Sequence, residues 1–213
     1  MKREIKICGV KTLEVANAVA DSGASHIGFV YFKRSPRNIS PEDAGIIARK
    51  INDRLKTVIV TVNADDALIS ETMAHFIPDY IQLHGTEDVE RVQEIKEKFG
   101  LKIIKAISVS NKDDLKKAEI FIPFVDYIMF DAMPPRSSDL PGGNAVSFDW
   151  KILEGFNPGY KYILSGGLNP GNVAEAINVT NAQFLDTSSG VETAPGVKNI
   201  KLINEFVKMI NAF

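Results

Sequence analysis

An α/β fold of eight strand–helix units closed into a barrel is what this 213-residue sequence predicts. Two observations carry the prediction. Eight short β-rich runs alternate with helical stretches, which argues for a parallel sheet, and eight repeats argue for closing it. The last two strands exit into glycine- and serine-rich turns, Ser165-Gly166-Gly167 and Ser188-Ser189-Gly190, matching the phosphate grip that such barrels build after strands seven and eight. The expected fold is a single-domain (β/α)8 TIM barrel over residues 1–213. An open doubly wound sheet is the runner-up, but no Gly-x-Gly-x-x-Gly follows the first strand, where a dinucleotide fold would need it.

Taken in order, the expected strands are Ile5–Cys8, His26–Tyr31, Thr57–Val62, Tyr80–His84, Lys102–Ile107, Tyr127–Asp131, Tyr162–Ser165 and Phe184–Thr187. Helix starts are signalled by Thr12 before Leu13-Glu14, by Ser40-Pro41-Glu42-Asp43, and by Asn111 before Lys112–Lys117. Asn169-Pro170 reads as an N-cap with proline at the first helical position. The final helix, from Asn199 to Asn211, carries Ile203, Phe206, Val207 and Ile210 at the spacing of one apolar face. One connection is abnormally long: Ala132 to Ser147 has three prolines, two glycines and no periodicity, as in functional lids or disordered segments.

Composition narrows the function classes. Apolar residues at 45% and charged ones at 24% suit a soluble globular domain. A net charge of −2 with mixed signs leaves no basic stripe for nucleic acid, so a small-molecule partner is expected. The single cysteine, Cys8, cannot form an internal disulfide, and Met-Lys-Arg-Glu-Ile lacks the apolar run of a signal peptide. No run reaches membrane-spanning length, and a reducing cytoplasm is the expected compartment. Three scattered histidines, His26, His75 and His84, have no partner at metal-ligand spacing, and neither a Gly-x-Ser-x-Gly elbow nor a P-loop occurs.

Catalytic groups of such barrels sit at the C-terminal strand ends, where alternate residues face inward. That rule selects Lys6 and Cys8 on the first strand, Gln82 and His84 on the fourth, and Asp131 on the sixth. A thiol and a carboxyl facing each other across a sugar phosphate form a base and acid pair, one removing a carbon-bound proton while the other protonates an oxygen. Each has a plainer reading. A lone cysteine is often an inert small hydrophobe, an aspartate at a strand end can cap the next loop, and a histidine there often just bonds the adjacent turn. Ser165, Gly166, Gly167, Ser188, Ser189 and Gly190 are the candidate phosphate ligands, through backbone N–H groups. Asp186 beside a phosphate is awkward, so it is expected to point into the barrel and pair with Lys6.

With these residues in hand, the chain resembles the phosphoribosylanthranilate isomerase family over almost its whole length. The resemblance rests on Lys6-Ile-Cys-Gly9, Gly28-Phe-Val30, Ser35-Pro-Arg-Asn-Ile-Ser40, Gln82-Leu-His-Gly85, Phe130-Asp-Ala132, Pro141-Gly-Gly143 with Phe148-Asp-Trp150, Leu164 to Pro170, and Asp186 to Glu192 with Pro195-Gly196. It implies an Amadori rearrangement of N-(5-phosphoribosyl)anthranilate in tryptophan biosynthesis, without metal or organic cofactor. By position, Cys8 matches the general base, Asp131 the general acid, and Arg37 the arginine that meets the anthranilate, with Gln82 and His84 as further substrate contacts. The chemistry then asks for a Cys8 pKa shifted down from about 8.5 and an Asp131 pKa shifted up from about 3.9. Asn144-Ala145 departs from the family's Thr/Ser-Gly, which puts the loop's closure over the substrate in question. A monomer or homodimer is expected. Two alternatives stay in view: a histidine-pathway aminoaldose isomerase, which resembles this chain but carries an Asp where Cys8 stands, and a barrel that binds phosphate without catalysis.

Overall fold

A computed structural model describes residues 2–133, 142 and 147–213. Eight parallel strands close into a barrel in sequence order. They are β1 (Glu4–Cys8), β2 (His26–Tyr31), β3 (Lys56–Thr61), β4 (Tyr80–Leu83), β5 (Lys102–Val109), β6 (Tyr127–Ala132), β7 (Tyr162–Leu164) and β8 (Phe184–Thr187). Closure is made by β1 on β8, with Lys6 opposite Asp186 in the register. Outside lie α1 (Leu13–Ser22), α2 (Pro41–Ile51), α3 (Asp66–His75), α4 (Val89–Phe99), α5 (Lys112–Lys116), α6 (Val173–Thr180) and α7 (Ile200–Asn211). The predicted barrel is therefore observed, and every expected strand is present with its ends moved by two residues at most.

Local chemistry explains the helix ends. Thr12 accepts a hydrogen bond from the Val15 N–H, Asp88 from Arg91, and Asn199 from Lys201 and Leu202, each such cap being worth about 1 kcal/mol. Ile203, Phe206, Val207 and Ile210 bury one face of α7 as their spacing requires. One expectation needs correction. Asn169-Pro170 does not start a helix: Asn169 Oδ1 accepts from the Gly171 N–H and closes a turn, and α6 begins at Val173. Between β6 and β7 the described residues hold a short 3-10 turn at Trp150–Leu153. The predicted loop Ala132–Ser147 lies largely outside the described residues, Asn144 and Ala145 included.

Inside the barrel, side chains stack in layers from alternate strands, as closure demands. His26, Tyr80, Tyr127 and Phe184, from the even-numbered strands, form an aromatic ring with neighbouring centroids 4.6–5.9 Å apart that plugs the N-terminal end. Above it the aliphatic cluster of Val58, Ile104 and Ile163 fills the odd strands. In the same layer β1 contributes Lys6, which is fully buried. A buried ammonium is tolerated only with a partner, and here Asp186 Oδ1 lies 2.8 Å from Lys6 Nζ. The expected pair is present, and with it the interior changes from apolar to polar on the way up to the mouth.

Candidate active site

The mouth holds a cavity lined by Cys8, Arg37, Gln82, His84, Asp131, Ser165, Gly166, Gly167, Ser188 and Ser189, together with Asp186 and apolar Val30, Phe32 and Val60. All the predicted site residues but Gly190 line it. Gly190 instead packs where a Cβ would run into the Leu168 carbonyl, which presses the turn after β8 against the turn after β7. Thr187 Oγ1 reinforces that contact by donating to the Leu168 carbonyl at 2.6 Å.

The two turns divide the work between backbone and side chain. Gly166 and Gly167 both take positive φ, 89° and 64°, a conformation that glycine reaches at no steric cost. Their N–H groups make no hydrogen bond among the described residues, so they remain as donors for an anion. The hydroxyls of Ser165 and Ser188 are already committed. Ser165 Oγ donates to Asp186 Oδ2 at 2.9 Å, and its N–H belongs to the Phe130 carbonyl. Ser188 Oγ donates to the Cys8 carbonyl at 3.0 Å and lies 3.2 Å from Lys198 Nζ.

Cys8 ends β1 on the inward face and is nine-tenths buried or more. Gly28 on the neighbouring strand makes the room: a Cβ there would sit 2.9 Å from Cys8 Sγ and 3.2 Å from Lys6 Cε. Burial pushes the thiol's pKa up, and the positive charge of Lys6 only partly opposes it; Asp186 pushes the same way as burial, and Lys198 against it. The expected downward shift of Cys8 is therefore corrected. A reactive anion inside a closed layer loses more solvation than the lysines return.

Asp131 faces the cavity from β6. Its Oδ1 accepts the Ala132 N–H at 2.9 Å, and its Oδ2 is 3.1 Å from His84 Nε2. That approach lies off the N–H axis, so Nε2 has no directed hydrogen bond in the unliganded site. Gln82 Nε2 reaches the other ring nitrogen, Nδ1, at 2.9 Å.

Arg37 is anchored by a group that sequence reasoning missed. Glu192 receives Arg37 Nε at 2.9 Å and Nη2 at 2.8 Å, a fork-to-fork pair buried on both sides. Lys198 Nζ binds the same carboxylate at 2.7 Å and the Ser188 carbonyl at 2.8 Å. Both residues come from a small antiparallel hairpin, β9 (Glu192–Ala194) with β10 (Val197–Lys198). Arg37 and Lys198 hold the Glu192 carboxyl below its ordinary range despite its burial, while desolvation lowers Lys198. The Nε and Nη2 edge of Arg37, the arginine expected to meet the anthranilate, is thus taken by Glu192. Among the described residues no cluster of His, Cys, Asp and Glu is placed to hold a metal ion, and no helix is long and apolar enough to cross a membrane.

Comparison with known proteins gives one family. The family model described as N-(5'phosphoribosyl)anthranilate (PRA) isomerase matches residues 5–209. The isomerase of that name from Rhizobium meliloti (strain 1021) is 47% identical over 210 residues, covering 99% of this chain and 98% of the relative. Its counterpart from Sinorhizobium fredii (strain NBRC 101917 / NGR234) is 49% identical over 206 residues, covering 97% of this chain and 92% of its own. Among solved structures, the phosphoribosyl anthranilate isomerase of Thermotoga maritima superposes with a TM-score of 0.88 at 36% identity, with full coverage of both chains. Another, solved in complex with reduced 1-(o-carboxyphenylamino)-1-deoxyribulose 5-phosphate, has a TM-score of 0.85 at 35% identity, again with full coverage of both.

Proposed function

The chain belongs to the N-(5'-phosphoribosyl)anthranilate isomerase family, and from that premise we propose that it performs this isomerisation with Asp131 as general acid and Cys8 as general base. It is an aldose–ketose isomerase of tryptophan biosynthesis. The observation that carries the proposed roles is that Cys8 and Asp131, from β1 and β6, line one cavity whose rim presents the unengaged N–H groups of Gly166 and Gly167.

The substrate's 5-phosphate sits on those N–H groups and on the turn after β8, in reach of the positive Lys198 that braces it. Asp131 protonates the furanose ring oxygen and opens the sugar to an iminium. The iminium charge acidifies the neighbouring carbon-bound proton, and Cys8 removes it. The enolamine then tautomerises to the ketone. Because burial raises the Cys8 pKa, Cys8 acts as base only after its own proton has gone to solvent; the iminium charge beside it favours that thiolate, and the proton it takes is returned to carbon 1 of the enolamine. Lys6 supplies a fixed positive charge from below. Arg37, held by Glu192, meets the anthranilate in this reading, supported by its lining the same cavity as the apolar Phe32 and Val60.

One structural relative is described as monomers generated from a dimeric isomerase of Thermotoga maritima, so a monomer or homodimer is the state proposed for this chain. The deciding experiment mixes the protein with freshly made N-(5-phosphoribosyl)anthranilate and follows the decay of anthranilate-ester fluorescence. Rapid decay that falls by orders of magnitude in both Cys8→Ala and Asp131→Asn is expected. Survival of activity in either variant removes that residue's role, and no decay with the wild type removes the reaction.

A further inference from the structure

Gln82, His84 and Asp131 stand in line across the mouth. Gln82 Nε2 is 2.9 Å from His84 Nδ1, and His84 Nε2 is 3.1 Å from Asp131 Oδ2. Gln82 is 1% exposed, yet its Oε1 has no hydrogen-bond partner. An amide has a donor end and an acceptor end, so the end that faces Nδ1 decides which ring nitrogen carries a proton. With the amide N–H toward it, Nδ1 accepts and the ring proton is on Nε2, the nitrogen 3.1 Å from Asp131 Oδ2. With the amide turned over, Oε1 gains a partner by accepting from Nδ1–H, and the ring can hold protons on both nitrogens.

The backbone on either side of His84 is held by buried charges. Lys105 Nζ donates to the Leu83 carbonyl at 3.3 Å and the Gly85 carbonyl at 2.9 Å, the two that flank His84, and pairs with Glu87 Oε2 at 2.9 Å. Glu87 in turn accepts from the Gly85 and Asn63 N–H groups. From above, Gly142 covers the pair, since a Cβ there would be 2.9 Å from Asp131 Oδ2 and 3.0 Å from His84 Nε2. A general acid needs a proton at the start of every turnover; Oδ1 of Asp131 is taken by the Ala132 N–H, which leaves Oδ2, on the His84 side, to carry it.

We propose that His84, oriented by Gln82, is the proton store that loads Asp131. This rests on the acid role of Asp131 proposed above. The proton on His84 Nε2 passes to Asp131 Oδ2 and from there to the ring oxygen of the substrate, leaving a neutral imidazole whose remaining proton, on Nδ1, is held by Gln82 Oε1. The proton that Cys8 took from the substrate goes to carbon 1 of the enolamine, and the hydroxyl proton released as the enol becomes the ketone refills the store, so the proton count closes over one turnover. His84 and Gln82 are positioning residues in this scheme. Among the described residues, the charged and titratable groups facing the pair are Cys8, Arg37 and Asp186 in the cavity, Lys6 below them, and Lys105 and Glu87 behind β4.

Two readouts test it. Nitrogen-15 spectra of the His84 ring need no turnover; Asp131→Asn should change the Nε2 signal and Gln82→Met the Nδ1 signal, and ring signals indifferent to both overturn the proposal. In kinetics, His84→Gln should cut kcat ten- to a hundredfold with KM within threefold, and the limb of the pH profile set by the acid's proton should move to lower pH by a unit or more. Gln82→Met should move it less. A merely structural role would lower kcat without moving that limb, and an unmoved limb in His84→Gln overturns the proposal. Failure of the isomerase reading would show differently, as no product from the wild type.

Discussion

Replacing Lys6 by Met removes the positive end of a buried ion pair while keeping the side chain's length and apolar stem. Lys6 is fully buried, and Asp186 is left with the Ser165 hydroxyl as its one remaining side-chain donor. Removing one partner of a buried pair costs about 3–5 kcal/mol, which for a chain of this size is a fall in Tm of about 6–20 °C. Neutralising the orphan as well should recover most of it, because a buried pair is worth little against its own desolvation. The assay is urea and thermal unfolding of Lys6→Met, Asp186→Asn and the double variant, read as a double-mutant cycle. The expected cycle has two large single losses and a double loss smaller than either. A Lys6→Met loss under about 1 kcal/mol, or losses that simply add, would refute the account of the interior.

Three further outcomes follow from the same geometry. Ultraviolet thiolate absorbance, taken as the difference from Cys8→Ala, should appear only above the ordinary thiol range of about 8.5; substantial thiolate at neutral pH would contradict the burial argument. Gly28→Ala puts a methyl group 2.9 Å from Cys8 Sγ, so kcat/KM should fall at least tenfold while far-UV circular dichroism stays unchanged. His26, whose pKa is lowered to about 4 by burial and then by the Lys6 charge, is neutral in the native barrel and takes up a proton when the chain unfolds near pH 6.5. Its contribution is therefore complete above about pH 6.5 and is lost as pH falls toward 4, on the order of 3 kcal/mol in all. Urea unfolding between pH 7.5 and 4.5 should show that slope, and His26→Phe should flatten it.

Much of this was readable from one sequence because a barrel of parallel strands imposes a strict period. Alternation along β1, β4, β6 and β8 placed Lys6, Cys8, Gln82, His84, Asp131 and Asp186 on the inward face without any coordinates, and closure brought Lys6 to Asp186. What the pattern could not reach were contacts between segments that carry no period. Glu192 and Lys198 lie on strands of three and two residues, too short to alternate, yet they fix Arg37 and the turn after β8. The one available signal was a glutamate and a lysine either side of Pro195-Gly196, a turn dipeptide. Asn169 misled for a related reason: Asn caps turns and helices by the same hydrogen bond, and only the position of Asn172 beyond it decides between them.

The direction of the Cys8 shift teaches something about where charge resides in this site. Requirement by chemistry suggested a thiolate at rest. Desolvation is a property of the closed layer, and no neighbour in the sequence reports it. Lys6 is turned to Asp186, Lys198 to Glu192, and Arg37 also to Glu192, so each cation near the thiol already has a carboxylate close by. Three cations thereby share two carboxylates, and the N–H groups of Gly166 and Gly167 remain unengaged among the described residues. Such a site gives a dianionic phosphate fixed dipoles without preloading the thiol as an anion that would repel it. On the roles proposed above, the charge that favours the Cys8 thiolate comes from the substrate, once its ring has opened.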